Sequence, residues 1–95
     1  MDIEKLKTFR TFVESGCDVN CCVLLGLTRA GVWGQISALE KSLKIELVNR
    51  RKQHNSLTEA GQVLFKNASL ILQSNEKVIE AYEKALREMQ SGYVP

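Results

Sequence analysis

The amino-acid sequence predicts a mainly α-helical domain made of three helices, a small β-hairpin and a long C-terminal helix. One buried helical stripe is indicated by apolar residues at intervals of four, three and four: Val32, Ile36, Leu39 and Leu43. Residues 44–49 alternate apolar and polar side chains, as a short strand does, and a basic loop follows them. After Thr58, apolar residues recur in steps of four and three almost to the end of the chain.

The first helix is predicted over residues 3–15. Asp2 is its expected N-cap, because a carboxylate can accept the free N–H groups of the first turn, and Gly16 is expected to end it. One side of this helix is apolar and is formed by Leu6, Phe9, Phe12 and Val13. The helix therefore has one face to bury against the rest of the domain.

Two further helices are predicted between Asp18 and Leu43, joined by a turn at Gly26-Leu27. Thr28 is a suitable N-cap for the second of them. The residues expected to cover its buried stripe are Val23, Leu24 and Leu25. Two helices joined in this way are typical of a helix-turn-helix, whose second helix offers its exposed side to a groove in DNA.

The hairpin and the basic loop complete a winged helix-turn-helix. The loop from Arg50 to Asn55 is polar and basic, and Ser56-Leu57 can return as a second strand. In such a domain the loop is the wing, whose cationic side chains can contact phosphates or the minor groove. The sequence therefore predicts a winged helix-turn-helix over residues 1–57.

The last third of the chain is predicted to be one long dimerisation helix over residues 58–90, with Thr58 as its N-cap and residues 91–95 as a tail. Its heptad seam consists of Leu64, Ala68, Ile71, Asn75, Val78, Tyr82, Ala85 and Met89. The three preceding helices are too short to cover this seam, so we expect a homodimer; a helix folded back on its own domain is the alternative. Asn75 would favour one register of the dimer at a cost in stability.

The composition narrows the class of protein. The chain has 95 residues, which suits one domain of modest stability. Its 44% hydrophobic and 25% charged residues are those of an ordinary soluble protein, and no apolar run approaches the roughly 18 residues of a membrane span. The N-terminal segment is too charged for a signal peptide. We therefore expect a cytoplasmic protein without a membrane partner.

The basic residues are concentrated in one part of the chain, although the formal net charge is only +2. Residues 28–54 contain six basic and two acidic side chains. A charge cluster is usually only a solvated face, but the position of this one favours binding to double-stranded DNA. The predicted DNA-binding residues are Thr28, Arg29, Ala30, Trp33, Gly34, Ser37 and Lys41 on the helix, and Arg50, Arg51 and Lys52 in the wing.

Two segments, SALEKSL at residues 37–43 and LTEAG at residues 57–61, are the most specific motifs of the chain. They are accompanied by Phe9, Val13-Glu14-Ser15-Gly16, Leu25, Gln35-Ile36, Leu47 and Arg50. Together these residues resemble the N-terminal DNA-binding domain of LysR-type transcriptional regulators over residues 1 to about 90; the N-terminal domain of the molybdate regulator ModE is similar. The resemblance implies a winged helix-turn-helix, a dimer formed through the long linker helix, and promoter binding.

The recognition helix departs from the family pattern at its groove-facing positions. The family commonly has Ser-Gln-Pro-Ala where residues 28–31 read TRAG, and a Ser-Arg pair where this chain has Trp33-Gly34. Family members usually continue into an effector-binding domain, whereas this sequence ends at Pro95. We therefore expect no small-molecule effector.

The cysteines and the single histidine do not form a catalytic or metal-binding pattern. Cys17, Cys21 and Cys22 are odd in number, and a tetrahedral zinc site would need a fourth ligand, while His54 belongs to the distant wing. We expect the cysteines to be small buried side chains. Without a phosphate-binding loop or a nucleophile near a base, we expect no enzyme activity, no metal and no cofactor.

Two binding functions remain. In the first, the chain is a homodimeric transcriptional regulator that reads a short inverted repeat. In the second, it is a protein-interaction module or anti-regulator that dimerises through the long helix and has lost specific DNA reading, with Trp33 as the anchor for a protein partner. The basic wing favours the first hypothesis, and the altered recognition helix favours the second.

Overall fold

The computed structural model of the protein describes residues 1–50 and 54–89. Its helices are α1 (Ile3–Glu14), α2 (Cys22–Leu25), α3 (Arg29–Leu43), α4 (Glu59–Leu72) and α5 (Glu76–Glu88), with a 3-10 turn at Val19–Cys21. The strands β1 (Val48–Arg50) and β2 (Asn55–Leu57) pair antiparallel, with Arg50 opposite Asn55. The mainly helical winged helix-turn-helix is thereby confirmed. Arg51 and Lys52 of the wing lie outside the described residues.

α1 begins and ends close to the predicted positions. The carboxylate of Asp2 accepts hydrogen bonds from the backbone N–H groups of Glu4 and Lys5, at 2.9 and 3.2 Å, which satisfies two donors that a helix start leaves free. The chain leaves the helix through Gly16, whose φ of 80° lies in the left-handed region. α1 packs against α3 and α4. Its fully buried apolar side chains are Leu6, Phe9 and Phe12.

α3 carries the buried stripe that the sequence predicted. The stripe residues all have 0% exposure: Val32, Ile36, Leu39 and Leu43. Thr28 caps the helix as predicted, because its hydroxyl accepts the backbone N–H of Gly31 at 2.9 Å. The side chain of Gln35 accepts a hydrogen bond from the buried Thr8 hydroxyl at 2.5 Å, which links α3 to α1. α3 is therefore held by its apolar side.

The residues that pack against the buried stripe of α3 differ from the predicted ones. Val23 and Leu24 are 81% and 77% exposed and do not cover α3. α2 is a single turn in which Cys22 and Leu25, three residues apart, share the inward side, so the two residues between them face outward. The buried cover at this position comes from Cys21 and Cys22, at 3% and 8% exposure, together with α1.

The strand that leads into the wing starts later than predicted. Lys44 ends α3 with a left-handed φ of 58°, so the chain turns there before it becomes extended. Ile45 and Leu47 are buried as their alternation indicated, but they precede β1 and close the end of the core. Only residues from Val48 onward join the sheet.

α4 starts directly against the end of this segment. Thr58 caps α4 as predicted, accepting the backbone N–H of Gly61 at 3.0 Å. The carbonyl oxygen of Leu47 accepts the backbone N–H of Thr58 at 3.0 Å. A Cβ at Gly61 would overlap that carbonyl oxygen, so a glycine is required for this close approach.

The predicted single helix over residues 58–90 is corrected to two helices, α4 and α5. α4 ends at Leu72, and the Ser74 hydroxyl bonds back to the carbonyl of Leu70 at 2.6 Å. Asn75 has extended backbone and caps α5 by accepting the N–H of Val78 at 3.1 Å. An Asn at a heptad position also favours an N-cap, and here the cap prevails. Asn75 is therefore a capping residue in this structure.

α5 folds back onto its own domain, which is the alternative that the sequence left open. Leu86 is 1% exposed, and Ile79 and Tyr82 are half-buried against the core. The α-amino group of Met1 forms an ion pair with Glu83 at 2.7 Å, which links the start of the chain to α5.

The predicted heptad seam is divided between two environments. Leu64, Ala68 and Ile71 have 0% exposure and belong to the core of the domain. Val78 and Met89 are 38% and 37% exposed and lie at the outer part of the molecule. Among residues 1–50 and 54–89, no single helix is long and apolar enough to cross a membrane; the segments 19–25 and 29–43 reach that length only together and are bent by 100°.

Candidate nucleic-acid interface

The exposed side of α3, opposite the buried stripe, carries small and basic residues. We call this surface the groove face and define it by Thr28, Arg29, Ala30, Gly34, Ser37 and Lys41, all of which are exposed. A Cβ at Gly34 would meet no other atom within 4 Å, so the backbone there is open to a partner. Arg29 lies in the first turn, where the N-terminal end of the helix also favours negative charge. The surface suits a polyanion that approaches α3 closely.

Trp33 does not lie free on the groove face, although the sequence placed it there. Its ring is half-buried and meets Phe12 of α1 edge-on, with centroids 5.3 Å apart and planes inclined by 61°. The guanidinium carbon of Arg50 lies 4.8 Å from the centroid of the same ring. An aromatic pair of this geometry contributes about 0.5–1.5 kcal/mol beyond its buried area, and a cation over an indole at a partly exposed site about 0.5–1 kcal/mol.

Glu40 is a buried carboxylate that the sequence analysis did not select. It is 3% exposed and accepts hydrogen bonds from the backbone N–H groups of Leu47 and Val48, at 2.8 and 3.2 Å. Its other oxygen accepts a hydrogen bond from Arg50 at 2.8 Å. In the sequence, the feature that indicates burial of Glu40 is its position four residues after Ile36, which places it beside the buried stripe. A carboxylate so placed is retained only with partners, and the start of β1 supplies them.

Arg50 was predicted to bind DNA from the wing, and the structure places its side chain against α3. One terminal nitrogen donates to Glu40 at 2.8 Å and to the Ser37 hydroxyl at 3.3 Å. The Arg50 side chain is 39% exposed. Arg50 thus lies in contact with two other predicted site residues, Ser37 and Trp33.

The base of the wing is also attached to the turn after α1. The side-chain amide of Asn55 donates to the backbone carbonyl of Cys17 at 3.3 Å. Cys17 is half-buried, and burial raises the pKa of the Cys17 and Cys21 thiols, so they remain protonated near neutral pH. The prediction of small buried side chains is confirmed for Cys21 and Cys22. Within the described residues, no three His, Cys, Asp or Glu side chains are placed to hold a metal ion.

Comparison with known proteins identifies a family. The sequence model of bacterial regulatory helix-turn-helix proteins of the LysR family matches residues 3–62. A probable RuBisCO transcriptional regulator of Cyanidioschyzon merolae is 36% identical over 90 residues, which cover 95% of this chain and 29% of that protein. An uncharacterized HTH-type transcriptional regulator of Azotobacter vinelandii is 34% identical over 89 residues, which cover 94% of this chain and 59% of that protein. The chain therefore spans less than two thirds of the length of either relative.

The solved structures agree on the fold. The CbnR DNA-binding domain, crystallised as a complex with DNA, superposes with a TM-score of 0.70 at 23% identity, and the match covers 95% of this chain and 100% of that one. At this level of identity the superposition establishes the fold alone. The family match shows that the chain belongs to the LysR family of bacterial regulatory helix-turn-helix proteins, which are transcriptional regulators rather than enzymes, and that its winged helix-turn-helix is a DNA-binding domain of the LysR type.

Proposed function

We propose that this chain binds double-stranded DNA in a sequence-specific manner, with α3 in the major groove, and regulates transcription from the bound site. The observation that carries the proposal is the groove face. It is fixed from behind by a fully buried stripe, and it combines an open backbone at Gly34 with basic side chains at Arg29 and Lys41. A rigid helix with a low, basic surface can approach base edges closely. Such a protein acts in the cytoplasm, where promoter DNA is accessible.

The basic side chains divide into one that reads bases and others that contact the DNA backbone or the minor groove. Arg29 can donate a bidentate hydrogen bond to guanine, which would make it the principal reader of sequence. Lys41, near the other end of α3, suits a phosphate contact, which positions the helix without reading sequence. Arg51 and Lys52 follow β1 in the chain, and we assign them phosphate or minor-groove contacts from their charge.

We also propose that the protein binds as a homodimer on an inverted repeat. The support is an open apolar groove of about 370 Å³ on α5, lined by Lys77, Val78, Ala81, Tyr82 and Ala85. The earlier part of the predicted seam is occupied in the core, so we restrict the proposed interface to α5. Two copies related by a two-fold axis would present two α3 helices to half-sites about one helical turn apart.

The experiment for sequence reading compares Arg29→Ala with the parent by fluorescence polarisation, on a selected site and on its single-base variants. We expect a loss of about 1–3 kcal/mol that depends on the base at one position, with random DNA bound nearly as before. Lys66→Met is the matched control, because Lys66 is an exposed basic residue of α4 and does not belong to the groove face. An equal loss on every duplex would contradict the assignment of Arg29 to base reading.

A protein-interaction function is the second candidate, and one observation favours it. Val23 and Leu24 form an exposed apolar pair on α2, at 81% and 77% exposure, where a polar pair would be expected on a solvated turn. Trp33 is a poorer anchor than the sequence suggested, because Phe12 and Arg50 already contact its ring. This function would replace DNA reading if the parent showed no preference for any duplex selected from a random pool.

A further inference from the structure

Three elements of the domain meet at one cluster of side chains, formed by Trp33, Glu40 and Arg50. Trp33 contacts Phe12 of α1 through its ring edge, and Glu40 lies seven residues farther along α3. Arg50 is the last residue of β1, immediately before the basic loop of the wing. The cluster therefore joins α3 to the strand from which the wing leaves.

Glu40 holds both ends of β1. One carboxylate oxygen accepts the backbone N–H groups of Leu47 and Val48, where the strand begins. The other oxygen accepts the guanidinium of Arg50, where the strand ends. A single buried carboxylate thus fixes the short strand relative to α3, and charge-assisted hydrogen bonds of this kind are among the stronger polar contacts in proteins.

The Arg50 side chain is held on two sides. Its nitrogen donates to Glu40 and Ser37, and its guanidinium carbon lies over the Trp33 ring, 4.8 Å from the ring centroid. A guanidinium can donate hydrogen bonds at its edge while an aromatic ring lies against its face, whereas an ammonium is a compact point charge. Because Arg50 is still 39% exposed, contact with a DNA phosphate is the competing role, and the two roles have different consequences.

We propose that Arg50 is a positioning residue for DNA binding: together with Trp33 and Glu40 it sets where the wing leaves the recognition helix, and it does not itself neutralise a phosphate. The proposal rests on the DNA-binding function proposed above. It assigns to Trp33 the role of a platform for Arg50, in place of a base contact or an anchor for a protein.

The test measures the affinity of the full chain for a selected duplex over a series of salt concentrations, for the parent, Arg50→Met, Arg50→Lys and the control Lys66→Met. For Arg50→Met we expect an affinity loss of about tenfold with the slope of log K against log salt unchanged, whereas a lost phosphate contact would reduce that slope by about 0.9. The control should match the parent in both quantities. A reduced slope in Arg50→Met overturns the proposal.

Arg50→Lys separates the two roles even if Arg50→Met does not fold. A lysine contacts a phosphate as well as an arginine does at a point-charge site, so a phosphate role predicts affinity close to that of the parent. The positioning role predicts that Arg50→Lys stays several-fold weaker than the parent at an unchanged salt slope, because the stack on Trp33 is lost. Full recovery of affinity by lysine overturns the proposal.

The single tryptophan gives an independent readout in the free protein, because Trp33 is the only indole in the sequence. Loss of the stacked guanidinium exposes the ring to water, so the emission of Arg50→Lys should shift to longer wavelength while Lys66→Met keeps the parental spectrum. Identical spectra for Arg50→Lys and the parent would overturn the stack itself. If the parent binds no duplex, the proposed function fails before any variant is compared, and that result is distinct from failure of the positioning role.

Discussion

α3 and α5 are both amphipathic, but the domain covers their apolar side chains to different extents. The apolar stripe of α3 is wholly covered by the domain, and its other side is small, polar and basic. α5 is apolar on two sides: Leu86 is buried against the domain, while Val78 and Ala81 line an open apolar groove. The apolar stripe of α3 therefore has no surface left to bury, and the helix offers polar contacts to a ligand. α5 retains apolar surface that a second protein chain could cover.

A large loss of stability should come from disturbing the backbone contact that closes the core beside α3. Gly61→Ala would force a Cβ against the carbonyl oxygen of Leu47 and should destabilise the domain by about 1–3 kcal/mol. Gly34→Ala is the matched substitution on the groove face, where no atom lies within 4 Å. It should stabilise the fold by up to about 1 kcal/mol, because alanine is the better helix former. Urea denaturation measures both, and equal effects at the two glycines would contradict the described packing.

A substitution in the exposed apolar groove of α5 should weaken dimerisation without unfolding the domain. Val78→Asp places a carboxylate in the apolar groove and should weaken dimerisation by about tenfold or more, which corresponds to about 1.4 kcal/mol. Sedimentation velocity at micromolar concentration measures the change, and circular dichroism should show that the helices persist. Ile71→Asp is the contrasting variant, because Ile71 is fully buried and its replacement should unfold the domain. If the parent protein sediments as a monomer, dimerisation through α5 is contradicted.

The N-capping residues of α3 and α5 should each make a smaller contribution to stability, and for α5 the sign of the change is informative. Asn75→Ala removes the side chain that accepts the Val78 N–H and should cost about 1 kcal/mol. If residues 58–90 formed one continuous helix, the same change would stabilise it, since alanine has the higher helix propensity. Thr28→Ala at the start of α3 should also cost about 1 kcal/mol and serves as the reference. Thermal denaturation of the two variants distinguishes the alternatives.

These regions also differ in how far their sequence determines their structure. The buried stripe of α3 and the caps at Asp2, Thr28 and Thr58 follow from local rules, and the structure confirms them. Periodicity also identified Leu64, Ala68 and Ile71 of the last third as residues that would be buried. It could not say whether a partner or the chain itself would cover them, because a seam of steps of four and three satisfies both arrangements. The bend at residues 73–75 depends on the choice between a cap and a polar seam position at Asn75.

The candidate site was predictable in part for a similar reason. Helical periodicity places the residues of the groove face opposite the buried stripe, so they could be selected without a structure. The cluster of Trp33, Glu40 and Arg50 could not, because it joins residues that are up to 17 positions apart in the sequence through contacts between α3 and β1. Glu40 was hidden among the apolar residues of the helix, and only the unpaired N–H groups at the start of β1 explain why a carboxylate is buried there.

Whether α3 reads DNA from a dimeric winged helix-turn-helix can be measured by selecting duplexes from a randomised pool with the unmodified chain. We expect enrichment of an inverted repeat with half-sites about one helical turn apart, bound at least about a thousandfold more tightly than random DNA at physiological salt. Enrichment of a single half-site would contradict binding as a dimer. A pool that remains random after repeated selection, with binding that disappears as salt is raised, would contradict sequence reading by α3 altogether.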